Sequence, residues 1–334
     1  MLHLRMITPP DRTHAVLRLI EESVGTTHLV VLTGAALVPA GDVVTCDVAR
    51  EAGDELLHAL RELGIDEDGS ITVEDIDLTL SKSADRAEEE APGEGVDAVL
   101  WEQLSDATHE ESTLTITYTA FMIVAMLIAA CGVVLDNAIL IVGAMAVGPE
   151  FGPLAGVCTG LVRRAPKPAA RSLLALLVGF AVGMAATTLF SLVMDALGLF
   201  EQSMLEQPRP NTSFIWQPDP FSFVVALLAG VVGVLSLTSA KSGALVGVAI
   251  SVTTVPAAAN AAVALSYGDV DQTWGSAEQL LVNLGAIVLA GTLTLYAQKL
   301  LWRTRRGRLR RTPPARPEPR HPRGATGLTD PDGD

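Results

Sequence analysis

The stretch that decides the fold is MLIAACGVVLDNAILIVGAMAVGPEFGPLAGVCTGLVRR, residues 126–164. It is apolar, yet it contains an Asp-Asn pair at 136–137 and the segment GPEFGP at 148–153. A proline lacks the backbone N–H and clashes with the preceding helical turn. The segment therefore predicts a break within a transmembrane helix. The alternative is that the prolines only kink a packed helix, which membrane bundles tolerate.

Glu150 lies in the predicted break and is the only acidic or basic residue within any predicted span. A charged side chain at the centre of a bilayer costs about 3 kcal/mol on insertion scales. The carboxyl group must therefore face protein or water, pair with another group, or stay protonated. One hypothesis makes Glu150 an ion ligand, a proton carrier or a gate. The alternative is a protonated carboxyl that bonds to backbone groups freed by Pro149 and Pro153.

Outward from this stretch, residues 113–308 are predicted to form a polytopic α-helical membrane domain of six helices. Each apolar stretch has 20 or more residues, enough to cross a hydrocarbon core about 30 Å thick at about 1.5 Å per residue. The six predicted spans are 113–135, 138–162, 172–194, 221–240, 242–268 and 279–298.

The loop charges predict that both termini are cytoplasmic. Arg163, Arg164, Lys167 and Arg171 follow the second span, and further basic residues follow the fourth and sixth. The loops on the other side are mainly acidic. Basic residues in short loops favour the cytoplasmic side, so we expect a multi-pass protein of the bacterial inner membrane.

Residues 1–80 predict a small cytoplasmic α+β domain. Their strands and helices follow the order βαββαβ, typical of a ferredoxin-like domain. We expect the last strand to run from Gly69 to Leu80, with a bulge near Glu74 and Asp75 where the apolar alternation slips.

The remaining segments differ in composition from both domains. Residues 1–112 contain 25 Asp and Glu against 7 Lys and Arg, which argues against nucleic-acid binding. Residues 81–112 predict an acidic linker followed by an amphipathic helix whose Trp101 lies at a membrane interface. Residues 309–334 are rich in proline and glycine and predict a disordered cytoplasmic tail.

The membrane region contains a possible 3+3 inverted repeat. Span two aligns with span five, placing Gly143 over Gly247 and Gly152 over Pro256. Span one aligns with span four, and span three aligns with span six. A repeated unit of three spans inserts in opposite orientations, and paired helix breaks in two such halves mark the transport site of many secondary transporters.

Polar and helix-breaking residues in the spans define the predicted transport pathway. Asp136 and Asn137 are equally well explained as turn and N-cap residues. Asn260 and Asn283 line a pathway or make interhelical hydrogen bonds, and the span glycines favour close helix packing. The full predicted set is Asp136, Asn137, Gly148, Pro149, Glu150, Gly152, Pro153, Val255, Pro256, Asn260 and Asn283.

No pattern of an enzyme, metal site or cofactor site is present in the sequence. The three cysteines are far apart and the six histidines lie outside the spans. There is no HExxH motif, no phosphate-binding glycine loop and no catalytic triad signature. We therefore expect no enzymatic activity, no metal and no cofactor.

Residues 126–164, together with SVGTTHLVVL and GSITV in the first domain, resemble a bacterial and archaeal family of uncharacterised hydrophobic-domain proteins. This family is known as domain of unknown function number three hundred and eighty-nine. The motif residues matched are Asp136, Asn137, Gly143, Ala144, Met145, Pro149, Gly152 and Pro153, then Gly247 and Pro256. Two departures concern function: Glu150 and Phe151 replace the usual Leu-Met, and Ala257 replaces a usual second proline. The resemblance implies a polytopic membrane protein with a ferredoxin-like cytoplasmic domain.

These observations support two hypotheses. The first is a transporter or channel for a small solute or ion, with the broken helices forming the pathway and the first domain regulating it. The second is a membrane-anchored sensor or scaffold whose N-terminal domain binds a ligand or a partner. Small residues on helix faces predict a homo-oligomer, a trimer or a dimer, under either hypothesis.

Overall fold

The computed structural model describes residues 1–91, 99–217, 219–238 and 253–309. It contains an N-terminal domain built on a small antiparallel sheet and a helical region that follows it. The predicted tail 309–334 from residue 310 onward and residues 242–252 of the predicted span 242–268 lie outside the described residues.

The N-terminal domain has a four-stranded sheet of order β2-β3-β1-β4, antiparallel throughout. Alternate residues of β1, Leu2, Leu4 and Met6, are fully buried against the helices, as the two-residue period of a strand requires. The observed order of elements matches the prediction, with one additional short helix. The elements are β1 (Leu2–Thr8), α1 (Thr13–Glu22), β2 (Thr26–Leu37), β3 (Ala40–Val48), α2 (Arg50–Glu62), α3 (Ile65–Asp68) and β4 (Ser70–Asp75).

Strand β4 is shorter than predicted. It ends at Asp75 because its partner β1 begins at Leu2, and the last contact of this edge runs from the Ile76 N–H to the Met1 carbonyl. The predicted continuation is therefore wrong: Leu78 and Leu80 lie on the surface.

A helix, α4 (Lys82–Glu90), occupies part of the segment predicted as a linker. The Ser81 hydroxyl caps it by accepting the Ser83 N–H, and Ala84 and Ala87 are buried. Helix α4 packs on β2 and β3. Two alanine methyl groups are enough to dock this helix, although they give little apolar signal in the sequence.

The second region contains the candidate membrane helices. Four described helices are long and apolar enough to cross a membrane, and there are five if the pair α7 and α8, bent by 51°, counts as one span. Six spans therefore remain a prediction. The helices are α5 (Trp101–Glu111), α6 (Ile116–Val134), α7 (Ala138–Val147), α8 (Phe151–Arg163), α9 (Pro166–Ala196), α10 (Gln202–Glu206), α11 (Pro220–Thr238), α12 (Thr254–Ser266) and α13 (Val270–Leu309), with a 3-10 turn at Ser213–Ile215.

Glycines allow close contact between these helices, as predicted. A Cβ atom added at Gly160 would lie 2.7 Å from the Ala169 Cβ, and one at Gly156 would lie 2.4 Å from the Ser172 hydroxyl. Both contacts join α8 to α9. Helix α8 packs on α9 and α13, and α12 packs on the same two helices.

Helix α5 joins the N-terminal domain to the bundle. Leu100, just before it, lies in the core of the N-terminal domain, and the Trp101 N–H donates to Asp54. Arg163, at the end of α8, donates to the Trp101 carbonyl (3.0 Å), and the Lys299 ammonium lies 5.7 Å from the centre of the Trp101 ring. We call this end of the bundle the domain end. The end that carries residues 197–219 is the loop end.

The buried Asp42 generates a pH-dependent prediction. The Thr13 hydroxyl and the Gly34 amide both donate to its carboxylate at 2.7 Å and hold the pKa of Asp42 below its usual value. A lowered pKa stabilises the fold at pH values above the unfolded pKa of about 4, and this stabilisation is lost as the pH falls through the folded pKa. Asp42→Asn should therefore weaken the protection of β3 amides at pH 7, measured by hydrogen exchange in the full chain.

The difference between Asp42→Asn and the native chain should shrink below pH 4, where the native carboxylate also becomes protonated. The exposed Asp11, substituted as Asp11→Asn, provides the control in the same domain. A difference that stays constant down to pH 3 would contradict the assignment.

Candidate functional site

The predicted helix break is present at Gly148–Glu150. Helix α7 ends at Val147, Gly148 is extended (φ −61°, ψ 129°), and α8 begins at Phe151. The extended conformation follows from Pro149, because a proline disfavours the helical conformation in the residue before it. Pro153 is the third residue of α8. It does not break the helix, since the first four N–H groups of a helix have no partner within the helix.

The start of α12 meets the start of α8 at the carboxyl group of Glu150. Glu150 is 5 % exposed, and its Oε1 accepts a hydrogen bond of 2.8 Å from the Thr254 hydroxyl. Its Oε2 is buried and has no hydrogen-bond partner. Neither α8 nor α12 has a side-chain cap. Each helix N-terminus carries roughly half a positive charge, so the two ends place positive potential around this carboxyl.

The two helix starts share a sequence feature. Pro256 is the third residue of α12, as Pro153 is the third residue of α8. This match pairs Pro153 with Pro256, one residue away from the sequence alignment that places Gly152 over Pro256. Val255, the second residue of α12, is fully buried, and its side chain would lie 2.9 Å from a Cβ atom added at Gly148.

A cavity of about 220 Å³ lies beside the break. The exposed Asp219 and the half-buried Ser222, at the start of α11, line it near the loop end. Thr253 and the buried Asn283 line it next to the break, and the Asn283 amide donates to the Thr253 hydroxyl at 3.0 Å. The cavity therefore reaches the residue adjacent to Thr254, the hydrogen-bond partner of Glu150.

The predicted residues Asp136, Asn137 and Asn260 lie apart from the break, at the loop end. Asn137 caps α7 by accepting the N–H groups of residues 139 and 140. The carboxylate of Asp136 accepts hydrogen bonds from Asn211 (3.0 Å) and Thr212 (2.9 Å) and so fixes the loop. These contacts support the structural alternatives that the sequence left open for Asp136 and Asn137.

Asn260 takes part in a buried network around Arg209. The Arg209 guanidinium, 6 % exposed, donates to the amide oxygens of Asn260 (3.2 Å) and Gln272, and the Asn260 amide donates to Ser276 (2.7 Å). Burial lowers the pKa of Arg209, while the nearby Asp136 and Asp269 raise it. The network joins the loop to α12 and α13.

Sequence reasoning missed several residues of both clusters. Thr253 and Thr254 are ordinary residues in an apolar run, and no pattern marked them as partners of Asn283 and Glu150. Arg209 carried a usable signal, because it is the one basic residue in an acidic loop between spans three and four. Among the described residues, no group of three or more His, Cys, Asp or Glu could hold a metal ion.

The remaining predicted residue, Gly152, lies where α5 reaches the break. A Cβ atom added at Gly152 would lie 2.5 Å from both the Cβ and a carboxylate oxygen of Glu111. The last turn of α5 therefore packs directly on the first turn of α8.

Two glycines of the same stretch provide a matched test of this geometry. A Cβ atom at Gly148 would lie 2.3 Å from the Glu150 Oε2 and 2.9 Å from Val255, whereas one at Gly143 would meet nothing within 4 Å. Gly148→Ala should therefore destabilise the chain by about 1–3 kcal/mol through overpacking. Gly143→Ala should be neutral or stabilising by up to about 1 kcal/mol, because alanine favours a helix. Unfolding of both variants in detergent measures the difference, and equal stabilities would contradict the geometry of the break.

Comparisons with known proteins find a match for part of the helical region. The model of a family described as Domain of unknown function (DUF389) matches residues 145–289. The chain is 24 % identical over 211 residues to the uncharacterized protein MJ0678 of Methanocaldococcus jannaschii, a match that covers 63 % of each chain. No solved structure matches significantly. The resemblance found in the sequence is thereby confirmed over residues 145–289, which match the model of this family.

Proposed function

We propose that this chain is a transporter or channel for a small solute or ion, and that the solute passes through the helix break. The observation that carries the proposal is the buried Glu150 carboxyl, which lies between the starts of α8 and α12. Its hydrogen-bond partner Thr254 follows Thr253, which lines the cavity. Interrupted helices that meet near the middle of a bundle are a common basis for solute sites in membrane transporters. The proposal assigns no chemical reaction to the chain.

The packing supports a six-span 3+3 inverted repeat as the basis of this function. Helices α8 and α12 each carry a proline as third residue and pack on both α9 and α13, and α8 follows the break. In the proposed repeat, α9 and α13 are the third helices of the two halves. Each interrupted helix would then contact the third helix of both halves, so that rocking of one half against the other changes access to the break.

The contacts at the domain end support a cytoplasmic N-terminal domain. Trp101 lies between Arg163 and Lys299, two of the basic residues that the loop charges assign to the cytoplasm. The strand order β4-β1-β3-β2 with intervening helices supports a ferredoxin-like domain. We therefore propose a bacterial inner-membrane protein with cytoplasmic termini, in which the ferredoxin-like domain regulates transport through α5.

A homo-oligomer is part of this proposal, and strand β2 favours it. Strand β2 forms one edge of the sheet and exposes Val30, Leu32 and Leu37. Exposed apolar edge strands readily pair with another chain. The same surface supports the second candidate function, a membrane-anchored scaffold that binds a partner through its N-terminal domain.

The proposed oligomer generates a prediction at strand β2. Leu32→Lys should lower the fraction of dimer or trimer at least tenfold, because a charge at an apolar edge opposes pairing. Native mass spectrometry of the detergent-solubilised chain measures it, with Val24→Lys as the control, because Val24 is equally exposed but lies outside β2. An unchanged mass distribution would exclude β2 as the interface.

Transport generates its own prediction at Asn283. Asn283→Leu removes the amide that holds Thr253 and should lower the ionic current of proteoliposomes at least tenfold under steps in KCl, NaCl or pH. Leu281→Ala, on the exposed face of the same helix, should leave the current unchanged.

Accessibility of the cavity completes this test. Thr253→Cys should react with an impermeant thiol reagent applied from the loop end, because Thr253 lines the cavity. A native chain that passes no current under any of these gradients, together with an unreactive Thr253→Cys, would exclude transport through the break.

A further inference from the structure

The two oxygens of the Glu150 carboxyl group have different environments. Oε1 accepts from the Thr254 hydroxyl, whereas Oε2 is buried and unpartnered. None of the ion pairs among the described residues includes Glu150. A carboxyl group in this situation has one oxygen free to carry a proton, and a buried unpaired charge is costly.

Two opposing effects act on the charge of this carboxyl. Burial in the bundle favours the neutral form. The Thr254 hydroxyl and the uncapped N-termini of α8 and α12 favour the ionised form. The two effects oppose each other, and a proton-carrying group requires surroundings that stabilise each of its two forms.

The cavity gives the site a polar approach from the loop end. Its path runs from Asp219 and Ser222 to Thr253 and Asn283, beside the Thr254 that bonds to Glu150. The approach begins at a carboxylate and continues along hydroxyl and amide groups. Phe214, Phe221, Val225 and Ala226 line the rest of the cavity, so the polar groups of this approach lie among apolar side chains.

Few titratable groups surround the site. Tyr118 on α6 interacts electrostatically with Glu150, and Glu111 at the end of α5 lies against Gly152. Helices α7 and α12 contain no acidic or basic residue, and in α8 the first one is Arg163. Glu150 is therefore the acidic group best placed to exchange a proton at the break.

We propose that Glu150 binds a proton that enters through the loop-end cavity, and that the proton is the coupling ion of transport. This inference rests on the proposed function. Loading transfers a proton from hydronium to Oε2 and leaves a neutral carboxyl group and water. Release to water regenerates the carboxylate.

A water-soluble carbodiimide tests the site directly in the full chain reconstituted in lipid vesicles. The reagent adds a protonated carboxyl group across its C=N bond and increases the mass of the peptide by its own mass. We expect modification of Glu150 that decreases as the pH rises from 5 to 9, measured by mass spectrometry. Modification that is absent, or independent of pH in this range, would overturn the inference.

The hydrogen bond from Thr254 provides a second readout. Thr254→Val removes a donor to the carboxylate and should move the pH of half-modification upward by about one unit, a tenfold change in proton affinity. Thr187→Val is the matched control, because its buried hydroxyl in α9 has no partner. If Glu150 in Thr254→Val has the same pH of half-modification as in Thr187→Val, the break does not set its proton affinity and this role is overturned.

The route is tested with Ser222→Cys. A bulky thiol reagent at this position should slow the modification of Glu150 at least fivefold, whereas the same reagent on the native chain should not, since Cys46 and Cys158 are buried and Cys131 is half-buried. Equal rates would overturn entry through the cavity.

The flux measurement separates this inference from the proposed function. Current through the native chain without pH-dependent modification of Glu150 overturns the proton site and leaves transport in place. Modification that follows pH in a chain without current overturns transport and leaves the proton site.

Discussion

The constraint on which the membrane region depends is the burial of one carboxyl group among apolar helices. Glu150 can lie there because the Thr254 hydroxyl and two helix N-termini surround it. The N-terminus of α8 exists only because the chain leaves the helical conformation between Val147 and Phe151. The same carboxyl requires glycine at 148, since a side chain there would occupy the position of Oε2. Break, glycine and partner helix thus meet at one buried group.

Local sequence features were enough to predict much of the architecture. The length of apolar runs identified the long helices, and alternating residues identified the strands, because both signals come from residues close in sequence. The break at Gly148–Glu150 was visible for the same reason. The end of β4 was not, because it depends on where β1 begins in space. Helix α4 was missed because two alanine methyl groups gave no apolar signal.

The candidate site could be predicted only in part. Glu150 and Asn283 stood out as polar residues in apolar surroundings, but their partners Thr254 and Thr253 lie 104 and 30 positions away in the sequence. Such pairings arise from tertiary packing. The predicted pathway also combined two clusters that the structure separates. Asn260 belongs with Arg209 at the loop end, where a buried guanidinium bound to neutral amides joins the loop to the bundle.

The position of α5 gives the N-terminal domain a direct mechanical connection to the break. Its first residue bonds to Asp54 of that domain, and its last, Glu111, lies against Gly152 in the first turn of α8. Gly152 has no side chain, so α5 and α8 approach so closely here that no space remains between them. Any movement that tilts or unwinds the start of α8 must displace Glu111 and with it α5. A ligand that fixed α5 to the N-terminal domain would therefore restrain the break itself, which is the coupling that regulation of transport requires.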